Sequence, residues 1–85
     1  MKVYINWLDK EAISQEDYDR RVAELAADYV DDDDLLHGYL EDRYSAFELF
    51  TMSEEERTDV RGDFAEWCHR KAEDEMAEDF EDYEF

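Results

Sequence analysis

Four consecutive aspartates occupy residues 31–34, between two segments with helical periodicity. Aspartate is favoured at helix N-caps and in first helical turns, because its carboxylate accepts hydrogen bonds from backbone N–H groups that have no partner inside the helix. One aspartate is enough for that purpose, and adjacent like charges repel each other in a compact fold. The run therefore predicts a helix boundary, and it indicates that negative potential is itself a requirement at this point.

The rest of the chain has the same acidic character. Its 85 residues include 28 Asp and Glu against 9 Lys and Arg, which gives a formal net charge of -19. The acids are concentrated in residues 31–59, with eleven against two bases, and in residues 60–85, with ten against three. A hydrophobic fraction of 44% and an aromatic fraction of 15% argue against a disordered acidic tail. We expect one folded domain, residues 1–85.

The size of the charge is informative in itself. A net charge of roughly 2–8 keeps a small domain soluble, so solubility does not account for this one. A compact domain of this length is expected to have a radius of gyration of about 12 Å and a diameter of about 30 Å. About 30 Å of B-DNA carries about 18 phosphates. The folded chain is therefore expected to present about as much negative charge as a duplex of its own size.

Cysteine usage and the lack of turn residues indicate the class of protein. A single cysteine, Cys68, excludes an intramolecular disulfide and is typical of a reducing cytoplasm. Residues 1–9 contain no apolar run long enough for a signal peptide or a membrane span. The absence of proline and the two glycines argue against linkers and against a turn-rich β-sandwich. We expect a cytoplasmic, mostly α-helical protein with no membrane association.

Three helices are predicted, preceded by an N-terminal arm that is extended or a short β-strand. The first helix, residues 15–30, begins after Ser14 as N-cap, with Asp17 at the capping-box position. The second, residues 35–48, has Asp34 as its N-cap. The third, residues 54–72, begins at a capping box formed by residues 53–56. The predicted core residues are Ile5, Trp7, Ile13, Tyr18, Val22, Leu25, Tyr29, Leu36, Leu40, Phe47, Phe50, Val60, Phe64 and Trp67.

Two segments have no partner in this three-helix scheme. The arm, residues 2–8, must lie across the helices, pair with a second short strand, or pair with a copy of itself. Near the C-terminus Met76, Phe80 and Tyr83 form a stripe rotated by well over ~90° from the preceding one. Either the helix breaks near residues 71–74, or its last turns pack on the arm, on a second copy or on a target. Together the arm and the displaced stripe predict a homodimer.

No catalytic, metal or cofactor site is predicted, and we do not expect an enzyme. An EF-hand loop starting at Asp31 fails, because its fifth and sixth positions are Leu35 and Leu36. Glu66 and His69 have the spacing of a di-iron bundle motif, but the chain has no second copy of that motif. There is no Gly-rich phosphate loop. Direct binding to nucleic acid is disfavoured, because so acidic a chain repels phosphates.

The opposite possibility is that the chain occupies the nucleic-acid site of another protein. Carboxylates four residues apart on a helix lie about 6 Å apart along its axis, which is comparable with the phosphate spacing of a strand. Like-charge pairs of this kind cost a few tenths of a kcal/mol each, so several of them favour a functional surface over a generic solvated face. The pairs with this spacing are Glu24/Asp28, Asp59/Asp63, Glu75/Asp79 and Glu78/Asp82.

In size, charge, aromatic content and its clusters at residues 31–34, 54–56 and 73–83, the chain resembles the small acidic DNA-mimic inhibitors encoded by phages and mobile elements. That class includes anti-CRISPR and anti-restriction proteins. The resemblance implies a bacterial host cell and a partner whose DNA-accepting cleft is lined by Arg and Lys, such as a nuclease or defence effector. The aromatic residues expected to add specificity are Tyr39, Tyr44, Phe80 and Tyr83. The partner-binding residues predicted from charge clustering are Asp31, Asp32, Asp33, Asp34, Glu54, Glu55, Glu56, Asp59, Glu73, Asp74, Glu75, Glu78, Asp79, Glu81, Asp82 and Tyr83.

Two rival interpretations stay open at this point. An acidic protein–protein interaction module, such as an adaptor or an antitoxin-like protein, would bind a basic partner without imitating nucleic acid. A housekeeping protein of a halophile would reach a similar net charge and would unfold at low salt. Competition with DNA separates the first rival from a mimic, because a mimic excludes DNA from its target and an adaptor does not.

Overall fold

The structure, a computed structural model, describes residues 1–84. Within them the chain is mostly α-helical, with a small antiparallel sheet, which confirms the predicted fold class. In chain order the elements are β1 (Lys2–Asn6), β2 (Glu11–Ser14), α1 (Gln15–Val30), α2 (Asp33–Arg43), α3 (Ala46–Thr51), α4 (Glu54–Asp79) and β3 (Glu81–Glu84).

The N-terminal arm is the central strand of the sheet. β1 pairs antiparallel with β2, with Tyr4 opposite Ile13, and on its other edge with β3, with Val3 opposite Tyr83. The side chain of Asn6 orders the β1–β2 turn, because its Oδ1 accepts hydrogen bonds from the backbone N–H groups of residues 8 and 9. The arm therefore finds both of its partners within the chain.

The first helix begins and ends as the sequence predicts. α1 spans Gln15–Val30, and the Ser14 hydroxyl oxygen accepts a hydrogen bond from the backbone N–H of Asp17 at 3.1 Å. Its inward face carries Val22 and Ala26, which are buried, with larger side chains packed beside them. The cap and the apolar stripe agree on the same boundaries, and for that reason this prediction is confirmed.

The prediction of one continuous second helix over residues 35–48 is wrong. α2 ends at Arg43, and α3 begins at Ala46 with Ser45 as its N-cap. Ser45 and Glu48 form a reciprocal capping box, which satisfies the backbone N–H groups of a new helix start and so stabilises the break. The N-cap of α2 is also not Asp34 as predicted. It is Asp32, whose Oδ1 accepts hydrogen bonds from the backbone N–H groups of residues 34 and 35.

The third predicted helix, residues 54–72, is too short, because α4 continues to Asp79. Its buried residues recur at every fourth position. At about 100° per residue, four residues advance by about 400°, so each step moves the stripe by about 40° and five steps move it by about 200°. The stripe thus winds around an unbroken helix. Its members are Val60, Phe64, Cys68, Ala72, Met76 and, at the cap, Phe80.

The winding stripe gives α4 different neighbours along its length. In its first half Phe64 and Cys68 share a cluster with Tyr39 of α2. In its second half Ala72 and Met76 share a cluster with α1 and the sheet, where Tyr4 stacks on Tyr18 with ring centroids 3.8 Å apart. The last turns of α4 therefore pack on the arm, one of the two outcomes that the rotated stripe predicted. Both features that predicted a homodimer are satisfied inside the chain.

Three of the predicted core residues lie on the surface instead. Trp7 is 59% exposed, Phe47 is 75% exposed and Phe50 is 85% exposed. Trp7 follows the last paired residue of β1, and the two phenylalanines lie on α3, which has no buried residue of its own. The helical stripe that placed the phenylalanines in the core assumed a helix that continues through residue 44, and the break there turns them outward.

The molecule is elongated. Its Cα atoms extend over 53 × 22 × 17 Å, with a radius of gyration of 16.6 Å. The sequence-based estimate of a domain about 30 Å across is therefore wrong, because it assumed compact packing. The 26 residues of α4 give a helix about 39 Å long, which runs from α3 to the sheet. The sheet and α3 thus lie at opposite ends of α4.

Candidate acidic interaction surface

The aspartate run joins α1 to α2 and is exposed throughout. Asp31 is the C-cap of α1, with its backbone N–H donating to the carbonyl oxygen of Ala27 at 3.2 Å. Asp32 is the N-cap of α2, and Asp33 and Asp34 lie in its first turn. Of the four side chains, that of Asp32 caps a helix, which agrees with the expectation that one aspartate is enough for that purpose. Within residues 1–84 the carboxylates of Asp31, Asp33 and Asp34 have no hydrogen-bond or ion-pair partner, so they face solvent as unneutralised charge.

The second acidic cluster lies at the α3 end of the molecule. Glu54, Glu55 and Glu56 form the first turn of α4, where the helix dipole stabilises negative charge. Ser53 is the N-cap, and its hydroxyl oxygen accepts a hydrogen bond from the backbone N–H of Glu56 at 3.2 Å. Asp59 follows one turn later and is exposed, as are the three glutamates. No side-chain cation of the described chain pairs with this cluster.

The third cluster, residues 73–83, contains occupied carboxylates, which have a hydrogen-bond or ion-pair partner inside the protein, and free carboxylates, which have none. Glu73 lies 2.7 Å from His69, and Asp82 lies 3.4 Å from the Lys2 ammonium. Glu81 accepts hydrogen bonds from the indole N–H of Trp7 at 3.2 Å and from the hydroxyl of Tyr83 at 2.9 Å.

Asp74, Glu78 and Asp79 have no such partner among the described residues and are exposed on α4. The predicted pair Glu78/Asp82 is wrong, because Asp82 lies in β3 and the helical spacing ends at Asp79. The free part of the third cluster is therefore the last helical turns of α4, and the strand residues beyond it are engaged with the arm.

Glu75 is the member of the third cluster most firmly held inside the protein. It is half-buried, lies 3.4 Å from the Lys71 ammonium and accepts a hydrogen bond from the Tyr29 hydroxyl. The Tyr29 hydrogen bond, followed by Lys71, lowers the pKa of Glu75 below its ordinary value. The same hydrogen bond, with burial, raises the pKa of Tyr29 to about 12. This carboxylate ties α1 to α4, and its contacts with the fold limit what it offers a partner.

Few of the other carboxylates are neutralised. Four of the 28 acids form an ion pair with a Lys or Arg of the described residues, and a fifth, Glu73, contacts the imidazole of His69. The four are Glu11, Asp17, Glu75 and Asp82. The strongest in geometry is the bidentate contact of Arg21 with Glu11 at 2.8 and 2.9 Å, which lowers the pKa of Glu11. The net charge is therefore carried mostly by unpaired carboxylates.

The structure does not bring the three clusters into one compact patch. Residues 54–59 and residues 73–79 lie at the two ends of α4, and Glu56 and Asp79 are about 34 Å apart along the helix axis. The aspartate run lies between them, because the end of α1 and the start of α2 pack near Cys68, in the middle of α4. The predicted residues thus form a series of acidic clusters along the rod.

Two of the four aromatic residues expected to add specificity are buried. Tyr39 is 7% exposed and Phe80 is 7% exposed, so neither is available to a partner. Tyr44 is half-buried, and Tyr83 is 39% exposed and packs edge-on against Trp7, with ring centroids 6.0 Å apart. The exposed aromatic residues that sequence reasoning missed are Trp7, Phe47 and Phe50, all of which it assigned to the core.

The described structure gives little support for a metal site, a reactive thiol or a membrane-spanning helix. Within residues 1–84 no group of three or more His, Cys, Asp or Glu side chains is placed to hold a metal ion. Cys68 is 0% exposed, and burial raises the pKa of its thiol. Over the same residues, no helix combines the length and the apolar character needed to cross a membrane.

Comparisons with protein-family models, with curated protein sequences and with solved structures gave no match to this chain.

Proposed function

We propose that the protein is a non-enzymatic DNA mimic that occupies the basic, nucleic-acid-binding cleft of another protein. The observation that carries the proposal is the combination of shape and unpaired charge. A rod of 53 × 22 × 17 Å carries a net charge of -19, and most of its carboxylates have no cation beside them. A cleft that accepts a nucleic-acid strand or duplex offers Arg and Lys along a similar length.

The linear charge density supports this proposal. A net charge of -19 spread over 53 Å gives one charge per about 2.8 Å. Duplex DNA carries one charge per ~1.7 Å of axis and a single strand one per ~3.4 Å. The protein lies between these values, so its match to duplex DNA is less close than a compact domain would have given. It remains within the range that a nucleic-acid cleft is built to neutralise.

The positions of the clusters along α4 also support it. The clusters at residues 54–59 and 73–79 are centred about 30 Å apart, and their outer members, Glu54 and Asp79, about 38 Å apart. One turn of B-DNA measures about 34–36 Å, so two basic contacts separated by one turn would meet one cluster each. The aspartate run supplies charge between them. The expected partner is a nuclease or another defence effector in the cytoplasm of a bacterial host cell.

The test begins with the target. The tagged protein is used to capture binding partners from a bacterial lysate, and the captured protein is then titrated with labelled duplex DNA in the presence of the inhibitor. Mutually exclusive binding is expected, with association that slows steeply as salt rises, because charge steering raises on-rates by ~10–10³ and is screened by ions. Simultaneous binding of DNA and the acidic protein would instead identify an adaptor.

Variants matched in charge then locate the surface. One variant neutralises the free carboxylates Asp74, Glu78 and Asp79 as Asn or Gln, and two others do the same for residues 31, 33 and 34 and for residues 54, 55 and 59. The control removes the same number of charges at carboxylates that are paired with Lys or Arg: Glu11→Gln, Asp17→Asn and Asp82→Asn.

Each cluster variant is expected to slow association by about tenfold. The control lowers the net charge by the same amount, so its effect measures general charge steering, and the excess effect of a cluster variant measures contact between that cluster and the target. If all three cluster variants exclude DNA as well as the parent does, the mimic proposal is wrong.

A further inference from the structure

In the described chain the helices pack on one face of the sheet and leave the other face open. Tyr4 and Ile13 lie on the covered face, in one cluster with α1 and α4. Tyr83 lies opposite Val3 in the β1–β3 ladder, so both side chains are on the open face, where Tyr83 is 39% exposed. Trp7, which is 59% exposed, contacts Tyr83 and so lies on the same face. The mimic proposal, which rests on charge and shape, does not use these rings.

The Trp7 ring is held in one orientation by contacts within the chain. Its indole N–H donates a hydrogen bond to Oε2 of Glu81 at 3.2 Å, and Tyr83 packs edge-on against it. The Tyr83 hydroxyl donates to the same oxygen of Glu81 at 2.9 Å. The turn after Trp7 is ordered as well, because the buried side chain of Asn6 accepts hydrogen bonds from the backbone of residues 8 and 9. An exposed side chain that is already ordered loses little conformational entropy on binding, which favours its use as an anchor.

Several aromatic rings of this chain have a cation over them, and Trp7 does not. The Lys71 ammonium lies 5.9 Å from the ring centroid of Trp67, and the Arg43 guanidinium carbon lies 4.3 Å from that of Tyr39. No Lys or Arg side chain among residues 1–84 lies over Trp7 in this way. Indole attracts a cation more strongly than the rings of Tyr and Phe do. The exposed tryptophan is therefore open to a cation that another molecule brings.

The charge around Trp7 also favours a cation. In the described sheet and the β1–β2 turn, residues 7–10, three carboxylates have no cation beside them and one base has no carboxylate beside it. The three carboxylates are those of Asp9, Glu81 and Glu84, and the base is Lys10. Glu81 lies against the indole, and within residues 1–84 its Oε1 has no hydrogen-bond or ion-pair partner. An aromatic face and a free carboxylate oxygen thus lie side by side.

We propose that the indole face of Trp7 and the free Oε1 of Glu81 together bind an arginine side chain of a basic partner. A guanidinium group is planar, so it stacks on an aromatic ring and still donates hydrogen bonds to a carboxylate at its edge. An ammonium group is a compact, strongly hydrated charge and does not stack. That the arginine comes from a nucleic-acid-binding cleft rests on the proposed function, whereas the site itself rests on the geometry of the open sheet face. Glu81 follows the last free carboxylate of α4, Asp79, by two residues, so the arginine site continues the acidic series along the rod.

Nuclear magnetic resonance of the isotope-labelled full chain, titrated with a hexa-arginine peptide, tests the site. The chain has two tryptophans and therefore two indole N–H cross-peaks, which the variant Trp7→Phe assigns. At roughly 0.15 M salt the peptide is expected to shift the Trp7 cross-peak and to leave that of Trp67 in place. A hexa-lysine peptide of equal charge should bind at Trp7 about fivefold more weakly, because it cannot stack and donate at once.

Matched variants separate the site from general attraction to an acidic protein. Glu81→Gln is expected to weaken the hexa-arginine affinity measured at Trp7 by about fivefold. Glu84→Gln removes the same charge from the other face of β3 and should have a much smaller effect. Trp7→Leu should weaken the affinity measured at the backbone amide of Tyr83 by about fivefold, whereas Phe50→Leu, at the opposite end of the rod, should not. Circular dichroism and melting temperature should stay those of the parent, because all four substituted side chains are exposed.

Three results would overturn the proposal. One is a Trp7 cross-peak that stays in place while the peptide saturates the acidic surface. The others are equal affinity of the two peptides at Trp7, and an affinity of Trp7→Leu equal to that of the parent, because either reduces the contact to charge alone. The titration contains neither DNA nor the target. A negative result therefore leaves the mimic proposal standing, and a failure to exclude DNA leaves the arginine site standing.

Discussion

Replacement of Ala72 by leucine tests the packing that makes the molecule a rod. Ala72 is 0% exposed and lies in the second half of α4, in the same cluster as Val22, Ala26 and Met76. The alanine permits α1 and α4 to approach closely at this level. Leucine adds three carbon atoms where no space is available, and such overpacking costs about 1–3 kcal/mol. In a domain of this size each kcal/mol lowers the melting temperature by about 4–8 °C.

Ala72→Leu is therefore expected to lower the melting temperature by roughly 5–20 °C, measured by far-UV circular dichroism. Ala65→Leu is the matched control, because Ala65 lies on the same helix and is exposed. Surface substitutions of that kind change stability by less than about 0.5 kcal/mol. If the helix instead broke near residues 71–74, Ala72 would lie in an exposed turn and would accept leucine. Equal stability of Ala72→Leu and the parent would refute the continuous winding stripe.

Two further predictions follow from titratable groups in the core. The pKa of Tyr29 is raised from 10.0 to about 12, so its hydrogen bond with Glu75 stabilises the fold fully below pH 10 and is lost as the pH rises towards 12. The pKa values of Tyr18, Tyr39 and Tyr83 are raised as well, so Tyr29→Phe should reduce the alkaline loss of stability and remove one phenolate from the late part of the absorbance titration. Cys68 is fully buried and its thiol pKa is raised, so a thiol reagent should modify it only at the rate of unfolding, and a rapid reaction with the folded protein would contradict its burial.

Local sequence signals predicted the parts of the fold that depend on neighbouring residues. Ser14 and the stripe of α1 were sufficient for that helix, because cap and periodicity are both encoded within sixteen residues. The break before α3 was also present in the sequence, as the capping box of Ser45 and Glu48, but the hydrophobic stripe through residue 50 masked it. β3 had no local signal, because three of its four residues are acidic, and acidic residues are disfavoured in strands. Its strand conformation comes from pairing with β1, almost eighty residues earlier.

Predictions of the candidate site divide in the same way, into those that local sequence supports and those that depend on tertiary contacts. Charge clustering identified exposed carboxylates at residues 31–34 and 54–59, because runs of acids on a surface element need no tertiary information. It did not separate the free Asp74 from the occupied Glu75 and Asp82. Their partners, Tyr29 and Lys2, come from elements remote in the sequence. Exposure of Phe47 and Phe50 was missed for a related reason, since it depends on how few residues cover α3.

The shape and the charge of the molecule are physically connected. A helix whose buried stripe returned to the same side would gather its neighbours on one face and favour a compact bundle. The four-residue spacing from Val60 to Phe80 instead winds the stripe, so α2, α1 and the sheet pack one after another along α4. The radius of gyration rises from the expected value of about 12 Å to 16.6 Å, and self-repulsion, which falls roughly as the inverse of size, drops by about a quarter. A chain with so many unpaired carboxylates is thus stabilised by the extended packing that also spaces its acidic clusters along the rod.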